Sequence, residues 1–239
     1  MTIRGMQPTD IVAGLRLCRL SQWNQLEEDW RAFLESPDGG GLLAESGGDV
    51  HGTVTFLRYG RPFTWLSMML VDPEARGRGV GTQLMEAALE ALATDTCVRL
   101  DATPLGEPLY RRFGFNGEEE LGRAKITALP GVTPHATQSI SPMIDADLPQ
   151  AFERDLREFG ADRSAILTSF HRRAPQLAFV RRDGHGLSGY CFGRPGYLYR
   201  QIGPVVADDA STAQALVECC LANHPGEIFA VDLPRTAGE

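Results

Sequence analysis

The sequence predicts an α/β (α+β) protein of two tandem mixed-sheet domains, each a mostly antiparallel central sheet flanked by helices. Three observations carry this. Short turns join three consecutive strand-like runs, which makes them antiparallel neighbours. A helical run then separates the third from another strand-like run, the crossover that a parallel neighbour requires. The same succession recurs, more faintly, in the second half of the chain.

Residues 11–34 place apolar side chains at Ile11, Leu15 and Cys18, then at Leu26, Trp30, Phe33 and Leu34. This is helical spacing interrupted near Ser21, so two helices are expected. The turn cluster Ser36-Pro37-Asp38-Gly39-Gly40-Gly41 leads into Leu42-Leu43-Ala44-Glu45, the turn Ser46-Gly47-Gly48-Asp49 and the near-alternating run 50–59. That pattern is a strand, a hairpin turn and a strand. Gly60-Arg61-Pro62 marks the next turn, and the apolar run 63–71 reads as a buried strand ended by Pro73. Residues 80–93 carry Val80, Leu84, Met85, Ala88 and Leu92 on one helical face. The β-branched and apolar run 96–100 follows as a short parallel strand, and a helix over 106–113 and a strand over 122–128 are expected to close the unit.

Residues 130–142, with three prolines among small polar residues, read as a linker. The expected domains are therefore 1–129 and 143–239. In the second, 177–184 resembles 42–48, 187–196 resembles 50–62, and 199–206 stands where 65–71 stood. Residues 211–222 repeat the crossover helix before a strand at 228–232.

The 239 residues, 43% apolar and 23% charged, suffice for a full core. A net charge of −8 removes the basic footprint of a nucleic-acid binder. Lys125 is the single lysine and no glycine-rich run precedes it, which rules out a P-loop. Charge and Pro8 near the N-terminus, and the lack of any run of 18 apolar residues, lead us to expect a cytoplasmic protein with no membrane contact. Five cysteines without C-x-x-C spacing and five scattered histidines point to no disulfide framework and no metal.

The segment with chemical content is Val71-Asp72-Pro73-Glu74-Ala75-Arg76-Gly77-Arg78-Gly79-Val80-Gly81-Thr82. It joins a buried strand to a helix. Glycines at 77, 79 and 81 let backbone approach an anion, and the first-turn N–H groups of the helix lack internal partners. Arg76 and Arg78 add guanidinium donors suited to phosphate. The bland alternative is a glycine turn with two solvated arginines. A dinucleotide fold is disfavoured although Asp101 ends a strand 20 residues after Gly81, because the third glycine is missing and five residues separate strand from first glycine.

Arg76-x-x-Gly79-x-Gly81 and Leu109-Tyr110-Arg111-Arg112-Phe113-Gly114-Phe115 together resemble the two motifs of the GNAT superfamily of acyl-CoA-dependent N-acetyltransferases. The resemblance covers the first half; the second resembles a degenerate GNAT-like repeat in which Asp208 and Asp209 stand where an anion site would want arginine. It implies acetyl-CoA (coenzyme A) as co-substrate, with its pyrophosphate on Arg76, Gly77, Arg78, Gly79, Val80, Gly81 and Thr82. It further implies that Met69, Leu70 and Val71 hydrogen-bond the pantetheine arm, beside a gap between the fourth and fifth strands. Tyr110 would protonate the departing thiolate, and an amine would attack the thioester directly.

Trp23-Asn24-Gln25 falls at the bend between the first two helices, where the resemblance implies acceptor contacts; Trp23, Asn24 and Asp101 are the candidate substrate-binding residues, with core packing of Trp23 the competing reading. Asp101, Glu107, Glu27, Glu28 and His51 all stay open as general base. Tyr190, Tyr197, Tyr199 and Arg200 cluster on a hairpin that either walls the acceptor cleft or forms ordinary cross-strand pairs. The expected function is N-acetylation of a small amine by a monomer or homodimer; the alternatives are a non-catalytic acyl-CoA sensor and a partner-binding scaffold using the second half.

Overall fold

A computed structural model of the protein describes residues 1–128, 140–184 and 186–235, and the chain forms two compact units, Met1–Gly117 and Glu118–Glu239. The first contains β1 (Thr2–Gly5), α1 (Ile11–Leu20), α2 (Glu27–Leu34), β2 (Gly39–Ser46), β3 (Asp49–Tyr59), β4 (Phe63–Val71), α3 (Val80–Ala91), β5 (Val98–Leu100) and α4 (Glu107–Arg112). Its sheet runs β1-β2-β3-β4-β5, antiparallel except for the β4·β5 pair. The meander and the helical crossover stand as expected; β1, four residues with Ile3 as their single apolar side chain, gave no sequence signal.

Side-chain alternation sorts the core onto two faces of this sheet. Leu43 packs with Ile11, Leu17, Cys18 and Trp30 of α1 and α2. Its neighbour Ala44 packs instead with Val80, Leu84, Met85 and Ala88 of α3. Gly14 on α1 is where Trp30, fully buried, lies against the helix: an added Cβ would meet the indole ring at 2.7 Å.

The second unit contains β6 (Leu121–Thr127), β7 (Ile140–Pro142), α5 (Leu148–Phe159), α6 (Ser164–Arg173), β8 (Phe179–Asp183), β9 (Gly186–Arg194), β10 (Arg200–Ala207), α7 (Ala210–Ala222) and β11 (Ile228–Pro234). Its sheet runs β6-β11-β10-β9-β8-β7. One expectation is corrected here. The strand at 122–128 does not close the first sheet: β6 pairs antiparallel with β11, from Leu121↔Pro234 to Thr127↔Ile228. Arg123 reinforces the pairing by clasping Asp232 with both arms of its guanidinium, at 2.6 and 2.8 Å. A linker at 130–142 falls outside the described residues as far as 139, and its last three residues are β7.

The internal repeat extends to close contacts. In the first unit α3 sits on Gly52 of β3, where a Cβ would meet the Leu70 carbonyl and Leu84 at 2.9 Å. In the second, α7 sits on Gly189 of β9, where a Cβ would meet Thr212 at 2.9 Å and Leu216 and the Val206 carbonyl at 3.2 Å. Both glycines let a helix approach the sheet. Adding a side chain at either point forces backbone apart, so Gly52→Val and Gly189→Val should each lower stability by about 1–3 kcal/mol in urea unfolding; neutral values at both would contradict this packing.

Candidate active site

The central feature of the first unit is a bulge in β4. Thr55 pairs with Ser67 and Thr53 pairs with Leu70, so Met68 and Met69 together oppose Val54 alone. Met68 takes a positive φ of 46°, rare for a residue with a side chain, and the buried Thr53 hydroxyl donates to the Met68 carbonyl at 2.9 Å. The extra residue reverses the facing of every later side chain. Before the bulge Leu66 faces α3; after it Met68 and Leu70 face α1 and α2, while Met69 and Val71 face α3. Pairing with β5 ends at the same level, since Thr64, Trp65 and Leu66 are the last residues of β4 matched to Val98, Arg99 and Leu100. The strands part beyond Leu66, leaving a gap through the sheet.

At the C-terminal end of β4 the chain turns sharply. The Asp72 carboxylate accepts the Glu74 N–H at 3.1 Å, capping the turn Pro73–Ala75, and is itself held by Arg16 at 2.7 Å. The Arg16 hydrogen bond keeps the Asp72 carboxyl below the usual carboxylate range. Gly77 and Gly79 then adopt left-handed φ values of 73° and 79°, and Gly79 is the N-cap of α3. Nothing lies within 4 Å of a Cβ built on Gly77, and at Gly79 only the Gln83 amide does, so the loop is open over its outer side. Gly81 serves packing instead, with Leu109 at 3.3 Å from its would-be Cβ. The first N–H of α3 bonded within the helix is that of Gln83, to the Gly79 carbonyl. The N–H groups ahead of it crown a positive helix end. Arg76 and Arg78 are exposed beside them, with Arg76 Nε turned back to the Val71 carbonyl at 3.3 Å.

The second motif is a helix-terminating device. The Phe115 N–H bonds the Tyr110 carbonyl and the Gly114 N–H bonds that of Arg111, with Gly114 at a φ of 84°, the pattern of a Schellman motif. Its accompanying apolar contact is Phe115 against Tyr110, edge to face at 6.1 Å. Gly106 leaves room for the ring on its other side, where a Cβ would meet Tyr110 at 2.9 Å. Tyr110 is thus clamped, its hydroxyl has no hydrogen-bond partner among the described residues, and burial pushes its pKa up to about 12.

The bulge and the clamped phenol meet in one cleft at the gap between β4 and β5, lined by Trp23, Val54, Leu66, Ser67, Met68, Met69, Met85, Leu100, Asp101 and Tyr110. Trp23, Met69, Asp101 and Tyr110, anticipated separately along the sequence, all line it. Asn24 does not: it is 3% exposed. Among the five carboxylate and histidine candidates for a base, only Asp101 lines the cleft; Glu107 pairs with Arg111 and Glu27 with Arg31, on exposed helix faces. Sequence reading missed Thr53 and Val54, which lie on β3 and whose roles depend on cross-strand register.

The acetyltransferase (GNAT) family model matches residues 12–115, and a second GNAT acetyltransferase domain model matches 151–239. The chain is a tandem member of the GNAT superfamily. It is 24% identical over 221 residues, 92% of its length and 77% of the relative's, to the uncharacterized N-acetyltransferase YitH of Bacillus subtilis. It is 22% identical over 214 residues, covering 89% of this chain and 72% of the relative, to the holothin acyltransferase of a Pseudoalteromonas species. In fold it is similar to a putative acetyltransferase from Pyrococcus horikoshii, with a TM-score of 0.76 at 23% identity over 98% of this chain and 79% of that one. A GCN5-related N-acetyltransferase from Sphaerobacter thermophilus gives 0.70 at 17% identity, over 99% and 87%.

The second GNAT domain repeats the bulge but not its chemistry. In β10, Gly203 and Pro204 stand between Ile202, paired with Gly193, and Val205, paired with Cys191; parallel pairing with β11 again covers three residues and ends at Ile202. Pro204 occupies the register position of Met69 and has no backbone N–H. At the start of α7, Asp209 is an N-cap accepting the Thr212 N–H at 2.7 Å, and hydrogen bonds led by that from Ser211 lower its pKa to about 2. A carboxylate already occupies the helix end that in α3 is bare. Tyr190 is fully buried, and its hydroxyl donates to Asp155.

Because the raised pKa of Tyr110 reflects burial of the neutral phenol, the stability it contributes is complete below the unfolded value of 10 and is lost as pH rises toward 12. An ultraviolet difference titration of wild type against Tyr110→Phe should show this one tyrosine ionising near pH 12. Ionisation near pH 10 would place the ring in water.

Proposed function

We propose that the first domain transfers an acetyl group from acetyl-CoA to the amine of a small molecule, and that the second domain binds no acyl-CoA. The observation that carries this reading is the bare N-terminus of α3, with Gly77 and Gly79 open to close approach and Arg76 and Arg78 beside it. Backbone N–H groups of residues 76–82 suit the pyrophosphate. The pantetheine arm then runs along Met69, Leu70 and Val71, and a backbone N–H of this stretch polarises the thioester carbonyl. A preorganised donor of this kind lowers a barrier by about 3–4 kcal/mol.

The amine lone pair attacks the carbonyl carbon, the C–S bond breaks, and the thiolate takes the proton of the Tyr110 hydroxyl. The proton lost from the amine goes to the Asp101 carboxylate. The place of the Tyr110 ring in the cleft favours this assignment, and its buried phenol is protonated in the neutral range. A non-catalytic acyl-CoA sensor would share the glycine loop but has no use for a clamped phenol in the cleft. Among the described residues no group of three or more His, Cys, Asp or Glu side chains could hold a metal ion, and no helix is long and apolar enough to cross a membrane. Action within the cytoplasm, as a monomer or homodimer, completes the proposal.

Isothermal calorimetry should give one acetyl-CoA per chain, abolished by Gly79→Glu, which sets a carboxylate at the helix end; two sites, or binding that survives this change, would contradict the reading. With a turned-over amine, Tyr110→Phe should slow thiol release about 100-fold or more. Binding of acetyl-CoA without thiol release for any amine would favour the sensor.

A further inference from the structure

The bulge at Met68 makes the cleft two-sided. Met69, Met85 and Tyr110 line it from the α3 face, whereas Trp23 and Met68 belong to the face of α1 and α2. The glycine loop opens onto α3, so the donor occupies that side and the acceptor must come to the carbonyl from the side of Trp23.

Trp23 is held for this position. The chain leaves α1 through Gln22, whose φ of 56° is left-handed in a residue with a side chain. The Trp23 N–H bonds the Cys18 carbonyl at 2.8 Å. Arg19 then spans the bend with one guanidinium nitrogen, which donates to the Trp23 carbonyl at 3.2 Å and the Gln25 carbonyl at 3.0 Å. The result is a half-buried indole turned to the cleft that contains Asp101 and Tyr110. Strain and a dedicated clamp on one bend are explained if the indole's position matters.

The rest of the lining defines what this side accepts. Trp23 and Met68 offer an aromatic face and a polarizable thioether on this side, with Asp101 the only carboxylate of the lining. No arginine, lysine or histidine lines the cleft among the described residues. An amino acid or nucleotide acceptor would leave its anion without a partner, and a polyamine would find one carboxylate for several charges. Resting on the acetyltransferase reading above, we propose that the acceptor is a primary amine on an aromatic or bulky apolar body, with Trp23 the specificity-determining residue and Arg19 the residue that positions it. The ammonium gives its first proton to solvent, the neutral amine attacks, the second proton passes to Asp101 as above, and the body lies against the indole.

The test uses the full chain with acetyl-CoA and four amines: 2-phenylethylamine, ethylamine, spermidine and lysine. The wild type should turn over 2-phenylethylamine with a kcat/KM about 10-fold or more above each of the others. Trp23→Ala should lower the ratio of kcat/KM for 2-phenylethylamine to that for ethylamine about 10-fold, through KM for the larger amine. Trp23→Phe should restore most of the ratio, and Arg19→Ala should move it in the same direction as Trp23→Ala while KM for acetyl-CoA stays fixed. Preference for spermidine or lysine, or an unchanged ratio in Trp23→Ala, overturns this proposal and leaves the acetyltransferase reading standing. Turnover of no amine by a chain that binds acetyl-CoA overturns both. If Trp23→Ala loses acetyl-CoA binding, and with it the fold, the wild-type preference and the Phe and Arg19 variants decide.

Discussion

One residue too many in β4 organises the first domain. Because Met68 and Met69 oppose Val54 alone, the later side chains of the strand exchange faces, and β4 leaves β5 immediately after Leu66. An uninterrupted strand would keep pairing and would close the sheet where the cleft now lies. The bulge is stabilised locally, by the Thr53 hydroxyl on the Met68 carbonyl, inside a site where neither group reaches water. From it follow the gap, the two-sided lining and an edge over Met69–Val71 that has no β5 partner. The glycine loop adds to this a helix start with no side-chain cap near the end of the same strand, and the Schellman turn at Gly114 adds a clamped phenol.

The second domain separates what the fold supplies from what chemistry requires. It has the bulge, the three-residue parallel pairing and the glycine beneath the crossover helix, so the scaffold is the same. Yet Pro204 removes an N–H at the point where Met69 offers one, and Asp209 caps α7 from within. Arg181 lies 3.6 Å from Asp209, and Arg154 lies 2.5 Å from Asp208, so charge that would recognise a bound phosphate is satisfied by the chain itself. Its core is also differently stocked, with Cys191 and Cys220 sulfurs 3.6 Å apart in a closed apolar cluster.

Much of this was legible in the residues. Turn chemistry at Gly47-Gly48 and Gly60, alternation in β3 and helical spacing in α3 gave the meander and crossover, because each signal is local. The glycine loop and the Tyr110 motif were legible because both are helix-end devices, spelled out by consecutive residues. What escaped depends on long-range pairing. The strand β6 looks as suited to the first sheet as to the second, and only its register against β11 decides. Helices α5 and α6 have no counterpart signal in the segments whose resemblance defined the repeat. Asn24 sits beside Trp23 in sequence yet is buried, since a strained bend sends neighbouring side chains to opposite environments. The bulge itself is invisible in a run of apolar residues, where one insertion changes no periodicity that the eye can follow.

The most direct test is a crystal structure with a non-transferable thioether or ketone analogue of acetyl-CoA bound. The account predicts a single analogue per chain, its pyrophosphate over the N–H groups of 77–82 and its acyl end in the gap beyond Leu66, within hydrogen-bond reach of a backbone N–H of Met69–Val71 and of Tyr110. An analogue bound at the second domain, or one whose acyl end lies outside that gap, would contradict it.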